Sequence, residues 1–220
     1  MRLQAAVPRN VRVAREGPSY LVRLTRPGEL AAVQRLRAEV YVEQGFLHPD
    51  QLVGGLDLDG QDHRAVNLGA FEIGSGDLVG SFRLIFRDGT LLPIEEQYGL
   101  QLDAKTPIEL SRLAVARPHR ATALSIGLWK AAFDVAADAE VDYAFAIIEN
   151  PLFSMLNRLG LPFVKIGEPL VIYNTLNWPA RCRAADLLPS MMSVRPDLAE
   201  LFERRGQSRL YQSVLIETAG

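Results

Sequence analysis

The chain is poor in the residues that staple or metallate small folds. One cysteine, Cys182, among 220 residues leaves no partner for an intramolecular disulfide and fits a reducing compartment. The three histidines are scattered, so with that single cysteine no zinc-ligand spacing exists and no metal is expected. No apolar run approaches the roughly 18 residues of a membrane helix, and no signal-peptide core follows the first basic residues. A soluble, cytoplasmic protein without stable membrane insertion is the expectation. Neither sign of charge dominates, with 26 Asp and Glu against 24 Lys and Arg, which argues against nucleic acid as a partner. There is no internal repeat and no low-complexity tract. The length suits one domain with a sizeable core and a small appendage.

What is present concentrates between Thr106 and Asn150. Ile108 to Val115 is a short apolar run carrying polar Glu109, Ser111 and Arg112, which suits a buried strand with a functional edge. Leu124, Leu128, Ala131, Ala132 and Val135 recur at helical spacing. Tyr143 to Ile148 is nearly all apolar, as a central strand covered on both faces requires. Arg117 and Arg120 in the turn before the helix make an anion site, because free backbone N–H groups and the helix dipole point there.

Around this unit the pattern reads strand over Tyr20–Leu24, helix from Leu30 to Tyr41 with Gly45 as its stop, then a loop from Phe46 to His63 holding Asp57, Asp59 and Asp62. Ala65–Ile73 and Leu78–Phe86 are two strands joined by the turn signal Gly74-Ser75-Gly76-Asp77. Arg83 sits inside the second, where it needs either an edge or a carboxylate partner. A long connection with a short helix fills Asp88–Lys105. Pro151 opens a helix that Gly160 ends, Phe163–Ile166 and Leu170–Leu176 read as the last two strands of the core, and Trp178-Pro179 marks an exit. Beyond it come a short helix over Asp197–Arg204 and a strand over Leu210–Ile216. The expected division is a flexible basic arm over 1–18, a catalytic domain over 19–180 and an extension over 181–220.

Several of these stretches resemble the GNAT acyltransferases. Val115 followed by Arg120-Ala121-Thr122-Ala123, a helix, a strand and then Asn150 and Asn157-Arg158-Leu159-Gly160-Leu161 resembles that superfamily's acyl-donor motif, with Ala121 and Ala123 where glycines are usual. Four more features resemble one branch, the acyl-homoserine lactone synthases and N-acyl amino acid synthases. These are Leu36-Arg37 with Tyr41, Asp59-Gly60-Gln61-Asp62, Gly80-Ser81-Phe82-Arg83 and Glu109-Leu110-Ser111-Arg112. Two departures stand beside them. Phe46-Leu47 replaces the tryptophan that the lactone synthases usually carry, and Asn157 occupies the position where many relatives have an acidic tyrosine.

The resemblance implies an α/β (α+β) fold with a central mixed twisted sheet flanked by helices, its two parallel central strands splayed apart. It implies aminolysis of an acyl thioester, with acyl-CoA or an acyl carrier protein as donor and a small amine, such as an amino acid, as acceptor. Glu109, Ser111 and Arg112 would be catalytic, with Glu109 the base acting through water. Arg37, Tyr41, Asp59, Asp62 and Arg83 would shape the acceptor side, Arg83 and Arg112 facing Asp59 and Asp62. Val115, Arg117, Arg120, Ala121, Thr122, Ala123 and Asn150 would hold the donor, and the alanines with nearby arginines tilt that donor toward the carrier protein. A lactone synthase using S-adenosylmethionine and a non-catalytic acyl-ligand sensor are the alternatives.

Overall fold

In the computed structural model the described residues are 19–120, 124–203 and, as backbone, 214–217. The expected basic arm and the turn residues Ala121, Thr122 and Ala123 lie outside them. The elements run β1 (Ser19–Leu24), α1 (Leu30–Glu43), β2 (Ala65–Glu72), β3 (Leu78–Phe86), α2 (Pro93–Tyr98), β4 (Pro107–Val115), α3 (Leu124–Asp138), β5 (Tyr143–Glu149), α4 (Asn150–Arg158), β6 (Val164–Lys165), β7 (Leu170–Ile172), β8 (Thr175–Arg183), α5 (Leu187–Val194), α6 (Pro196–Glu203) and β9 (Val214–Glu217).

The strands form one sheet in the order β6-β8-β5-β4-β3-β2-β1-β9, with β7 also pairing β8. Among the described residues only β4 and β5 run parallel; their crossover carries α3. Every other pairing is antiparallel. One face is covered by α3, α5 and α6, whose Leu124, Leu128, Met191 and Phe202 pack with Leu68, Leu84 and Leu110. Gly80 permits that cover to come close: a Cβ there would lie 3.2 Å from Leu128 and 3.4 Å from Leu124. The other face takes α1, through Leu36 and Val40 on Ala114, and α2, through Ile94 on Ile85 and Phe145. No helix among the described residues is long and apolar enough to cross a membrane.

The C-terminal part departs from the expected pattern. Leu170–Leu176 reads as one apolar run, yet Tyr173 and Asn174 adopt φ of +52° and +61° and turn the chain back on itself. A two-residue turn of this kind suits the twist of a hairpin, and asparagine tolerates it well. Trp178-Pro179 is no exit; it lies inside β8. The N and C=O of a strand residue point toward the same neighbour, and the Pro179 carbonyl accepts from Ile166 N–H at 2.9 Å. The missing proline N–H therefore faces the side where β6 has already ended at Lys165, so no ladder bond is lost. Position 181 falls within β8, and Leu187, Leu198, Ala199 and Phe202 beyond it belong to the main core.

Candidate active site

The site begins with an irregularity in β4. Opposite β3 the register runs Arg83↔Ser111 and then Ser81↔Ala114, so Arg112 and Leu113 together face the single residue Phe82. This is a β-bulge, and Arg112 takes the extra position with φ +55°. Strict alternation would send Ser111 and Arg112 to opposite faces. The bulge instead places both beside Arg83, while Leu110 and Val115 stay in the core under α3. A left-handed arginine is disfavoured, so its neighbours must hold it.

They do so with charge. Arg112 donates to Asp57 from Nε at 2.8 Å and from Nη2 at 3.2 Å, and Nη2 also lies 3.1 Å from Asp59. Arg83 binds both oxygens of Asp59 at 2.7 and 2.6 Å, donates to Ser111 Oγ at 3.0 Å, and approaches Asp62 at 3.4 Å. Arg37 binds both oxygens of Asp62 at 2.8 Å, donates to the Asp57 carbonyl at 2.8 Å, and makes a charge contact with the Asp57 carboxylate at 3.0 Å. Gln34 adds a 2.9 Å hydrogen bond to Asp62. Three arginines thus meet three aspartates in a neutral lattice. Burial works against the Asp59 carboxylate, but the hydrogen bonds and charge of Arg83, with help from Arg112, hold it at about 2. Asp62 is likewise held below the usual carboxylate range by Arg37 and Gln34 against the effect of burial.

Glu109 lies on the same face as Ser111, two residues earlier. It is 3% exposed and its Oε2 accepts the Ile94 N–H from the first turn of α2 at 2.7 Å. Burial pushes its carboxyl up to about 7, against that hydrogen bond and the charges of Arg83, Arg64 and Arg112. A carboxyl poised there exchanges protons at neutral pH, which is what a general base needs.

Beyond Glu109 the sheet opens. β4 and β5 pair only through Pro107↔Tyr143, Ile108↔Ala144 and Glu109↔Phe145, and then diverge. Backbone groups that would have joined them face a cavity of about 450 Å³, within the usual range for a small-molecule site. Its walls include Leu110, Leu113 and Val115 from one strand and Ala146, Ile147 and Ile148 from the other. One end is apolar, with Phe82, Trp129 and Leu152. The other is polar, with Asp59, Arg83, Ser111 and Arg112, and is closed by Tyr41, Phe46 and Tyr173. Tyr41 meets Phe46 edge-on at 5.5 Å and Tyr173 at 6.0 Å, and burial pushes its hydroxyl up to about 12. The Tyr173 hydroxyl accepts a hydrogen bond from Arg112 Nη1, and Asn174 Nδ2 ties the hairpin tip to the Gly45 carbonyl at 3.1 Å.

The sequence-based site is brought together unevenly. Glu109, Ser111, Arg112, Arg83, Asp59, Tyr41, Val115 and Arg120 line the cavity. Arg37 is fully buried and Asp62 is bound to Arg37 and Arg83; neither lines it. Arg83 and Arg112 do face the expected aspartates, but Asp57 is the member that joins Arg37 to Arg112. Asn150 is exposed, does not line the cavity although Glu149 does, and accepts from Lys165 Nζ at 2.7 Å. Asn157 caps no chemistry; its Nδ2 donates to the Phe153 carbonyl at 3.2 Å. Arg120 donates from Nε to the Val115 carbonyl at 2.9 Å and from Nη2 to Glu43 at 2.5 Å, while Arg117 is largely exposed, 3.6 Å from the same glutamate. From sequence, Asp57 is named in its acidic loop but with no role assigned to it, and neither Tyr173 nor Glu43 is offered as a site residue. Asp57 lies in the same acidic loop as Asp59 and was legible as a candidate; Tyr173 and Glu43 carry no local sequence signal.

A family model described as N-acyl amino acid synthase FeeM matches residues 32–186. No curated protein matches in a sequence search. Among solved structures the chain resembles FeeM, an N-acyl amino acid synthase from uncultured soil microbes, at 19% identity and TM-score 0.64, covering 81% of this chain and 98% of that one. It resembles a CoA-dependent acyl-homoserine lactone synthase, BjaI, at 20% identity and TM-score 0.63, covering 84% and 89%. An acyl-CoA N-acyltransferase from Pseudomonas aeruginosa follows at 21% identity and TM-score 0.54, covering 76% and 99%. At these identities the three structures establish the fold, that of the GNAT-like N-acyltransferases.

Proposed function

The chain belongs to the N-acyl amino acid synthase FeeM family and is an N-acyltransferase, and from that premise we propose that its cleft joins an acyl thioester to the amine of an amino acid or a related small molecule. The observation that carries this reading is the opening between β4 and β5 with Glu109 at its root. The donor's pantetheine arm lies along β4 toward Val115, and its phosphate is met by Arg120. The acyl chain enters the apolar end, against Phe82, Trp129 and Leu152. The acceptor stands at the polar end, under Tyr41 and Tyr173.

The acceptor amine first loses a proton, which Glu109 takes through water. Its lone pair then attacks the thioester carbonyl carbon, forming the C–N bond and moving the carbonyl electrons onto oxygen. Backbone N–H groups of the opened strands stabilise that oxyanion. Collapse expels the thiolate, a good leaving group, so a strong dedicated acid is not required. The arginine–aspartate lattice keeps Ser111 and Arg112 in register with the reacting centre, an arrangement that lowers the entropic cost of activation. The donor is an acyl carrier protein or CoA; a single phosphodiester suits the small positive charge at the mouth of the cleft.

The test is mass spectrometry of lipid extracts from cells overproducing the protein, beside a Glu109→Ala, Arg112→Ala variant. A new acylated amine present only with the intact protein is the expected outcome and identifies donor and acceptor together. Tight donor binding without thiol release in the presence of any amine would sink this reading and leave a sensor.

A further inference from the structure

The mouth of the cleft contains a contradiction in local physics. Glu43 is the last residue of α1, where the carboxyl end of the helix dipole disfavours negative charge, and no basic residue occupies that turn. Its carboxylate is nevertheless turned onto two cations, Arg120 Nη2 at 2.5 Å and Arg117 Nε at 3.6 Å. Arg120 is at the same time fixed by its Nε to the carbonyl of Val115, the last residue of the opened strand, and it lines the cavity. Val40, Tyr41 and Gln44 of the same helix end line it too. A glutamate placed against its own helix dipole and aimed at the cavity's basic rim breaks a local rule that nothing in the fold's packing demands.

We propose that Glu43 is a resident counter-anion of the donor site, which neutralises Arg120 and Arg117 and thereby sets how much negative charge a donor can bring. This rests on the reading of the cleft as the thioester site. A donor phosphate and the Glu43 carboxylate compete for the same guanidinium N–H groups, since both present anionic oxygens that accept charge-assisted hydrogen bonds. With Glu43 present the rim holds one unit of positive charge instead of two. Such a rim accommodates the single phosphate of a carrier-protein arm and penalises the three phosphates of CoA. Glu43 is therefore a donor-discriminating residue and takes no part in bond making.

The experiment measures binding and not turnover. Pantetheine, 4′-phosphopantetheine and CoA are titrated calorimetrically into the intact protein and its Glu43→Gln variant, with urea melts of both. The expected result is an unchanged Kd for pantetheine, with phosphopantetheine binding tightened about two- to five-fold and CoA more than that, as the removal of one partly exposed like charge implies. Stability should be equal or slightly higher in the variant. Equal shifts for all three ligands would reveal a general structural effect and overturn the proposal, as would weaker binding of the phosphorylated pair. If the intact protein binds none of the three, the donor-site reading falls with it; if it binds the phosphorylated ligands and Glu43→Gln binds them no more tightly, only the counter-anion falls.

Discussion

The two charged regions of the cleft are built on opposite plans. In the wall proposed for the acceptor, Arg37, Arg83 and Arg112 are almost fully buried and each is locked to aspartates by two or more contacts. At the proposed donor rim Arg117 and Arg120 share one partly exposed glutamate. Buried ions have surrendered their hydration and can be kept only by partners that never leave. Exposed ions keep water as an alternative, so their partners can be exchanged at little cost. The first plan suits a wall that fixes geometry; the second suits a rim that takes and releases a ligand.

The sharpest way to break that contrast is Asp57→Asn. It removes charge from a residue that serves two buried arginines at once and should cost about 3–5 kcal/mol of stability, read as a shift in urea midpoint. A cost near that of a surface pair would mean the lattice is not the rigid half. Next comes Glu109→Gln, expected to lower kcat by about 100-fold or more while leaving the donor's Kd unchanged. The intact enzyme's rate should rise with pH through about 7, the value to which burial pushes this carboxyl, and the variant should lose that limb.

Stability should show the lattice and the buried Glu109 beside it as separate signatures. Asp59 is depressed from 3.8 to about 2, so its contribution is present above pH 3.8 and lost as pH falls through 2. Glu109 is raised from 4.5 to about 7, so its contribution is present below pH 4.5 and lost as pH rises through 7. Denaturant midpoints across pH should therefore fall at both ends, and Glu109→Gln should abolish only the neutral-side loss.

Tyr173→Phe should have a smaller effect. Losing one hydrogen bond to Arg112 costs about 1 kcal/mol, because the freed N–H faces the cavity, and the acceptor's KM should rise more than the donor's. The smallest belongs to Arg117→Ala: an 81% exposed side chain held at 3.6 Å should change donor affinity by about two-fold or less. A larger change there would move Arg117 from the exchangeable rim into the fixed wall.

Much of this was legible in the residues and some was not, for physical reasons. The hairpin of β2 and β3, the α3 crossover and the helix stops at Gly45 and Gly160 follow from periodicity and turn chemistry, which are local. Arg83 in a strand interior demanded a carboxylate, and the nearby acidic loop supplied it. The bulge at Arg112 was not legible, since Glu109-Leu110-Ser111-Arg112 reads as plain alternation and only pairing with β3 reveals the extra residue. Tyr173 was hidden because a tyrosine in a left-handed turn looks like strand, and Pro179 misled because its tolerance depends on where another strand stops. Glu43 meets Arg120 across 77 positions of sequence, a distance no local pattern spans.

The three register pairs between β4 and β5 have a wider consequence. They are the seam that stitches two antiparallel ribbons, β9-β1-β2-β3-β4 and β5-β8 with β6 and β7, into one sheet. With a seam so short, the gap is held by what packs across it: Leu68 and Leu84 of one ribbon share a single core with Ala146 and Ala180 of the other, under Leu124 and Leu128 of α3. Bulkier or smaller side chains at Ile108 or Ala144, which stand in that shared core at the seam, are expected to change the width of the gap and with it the chains the cleft accepts.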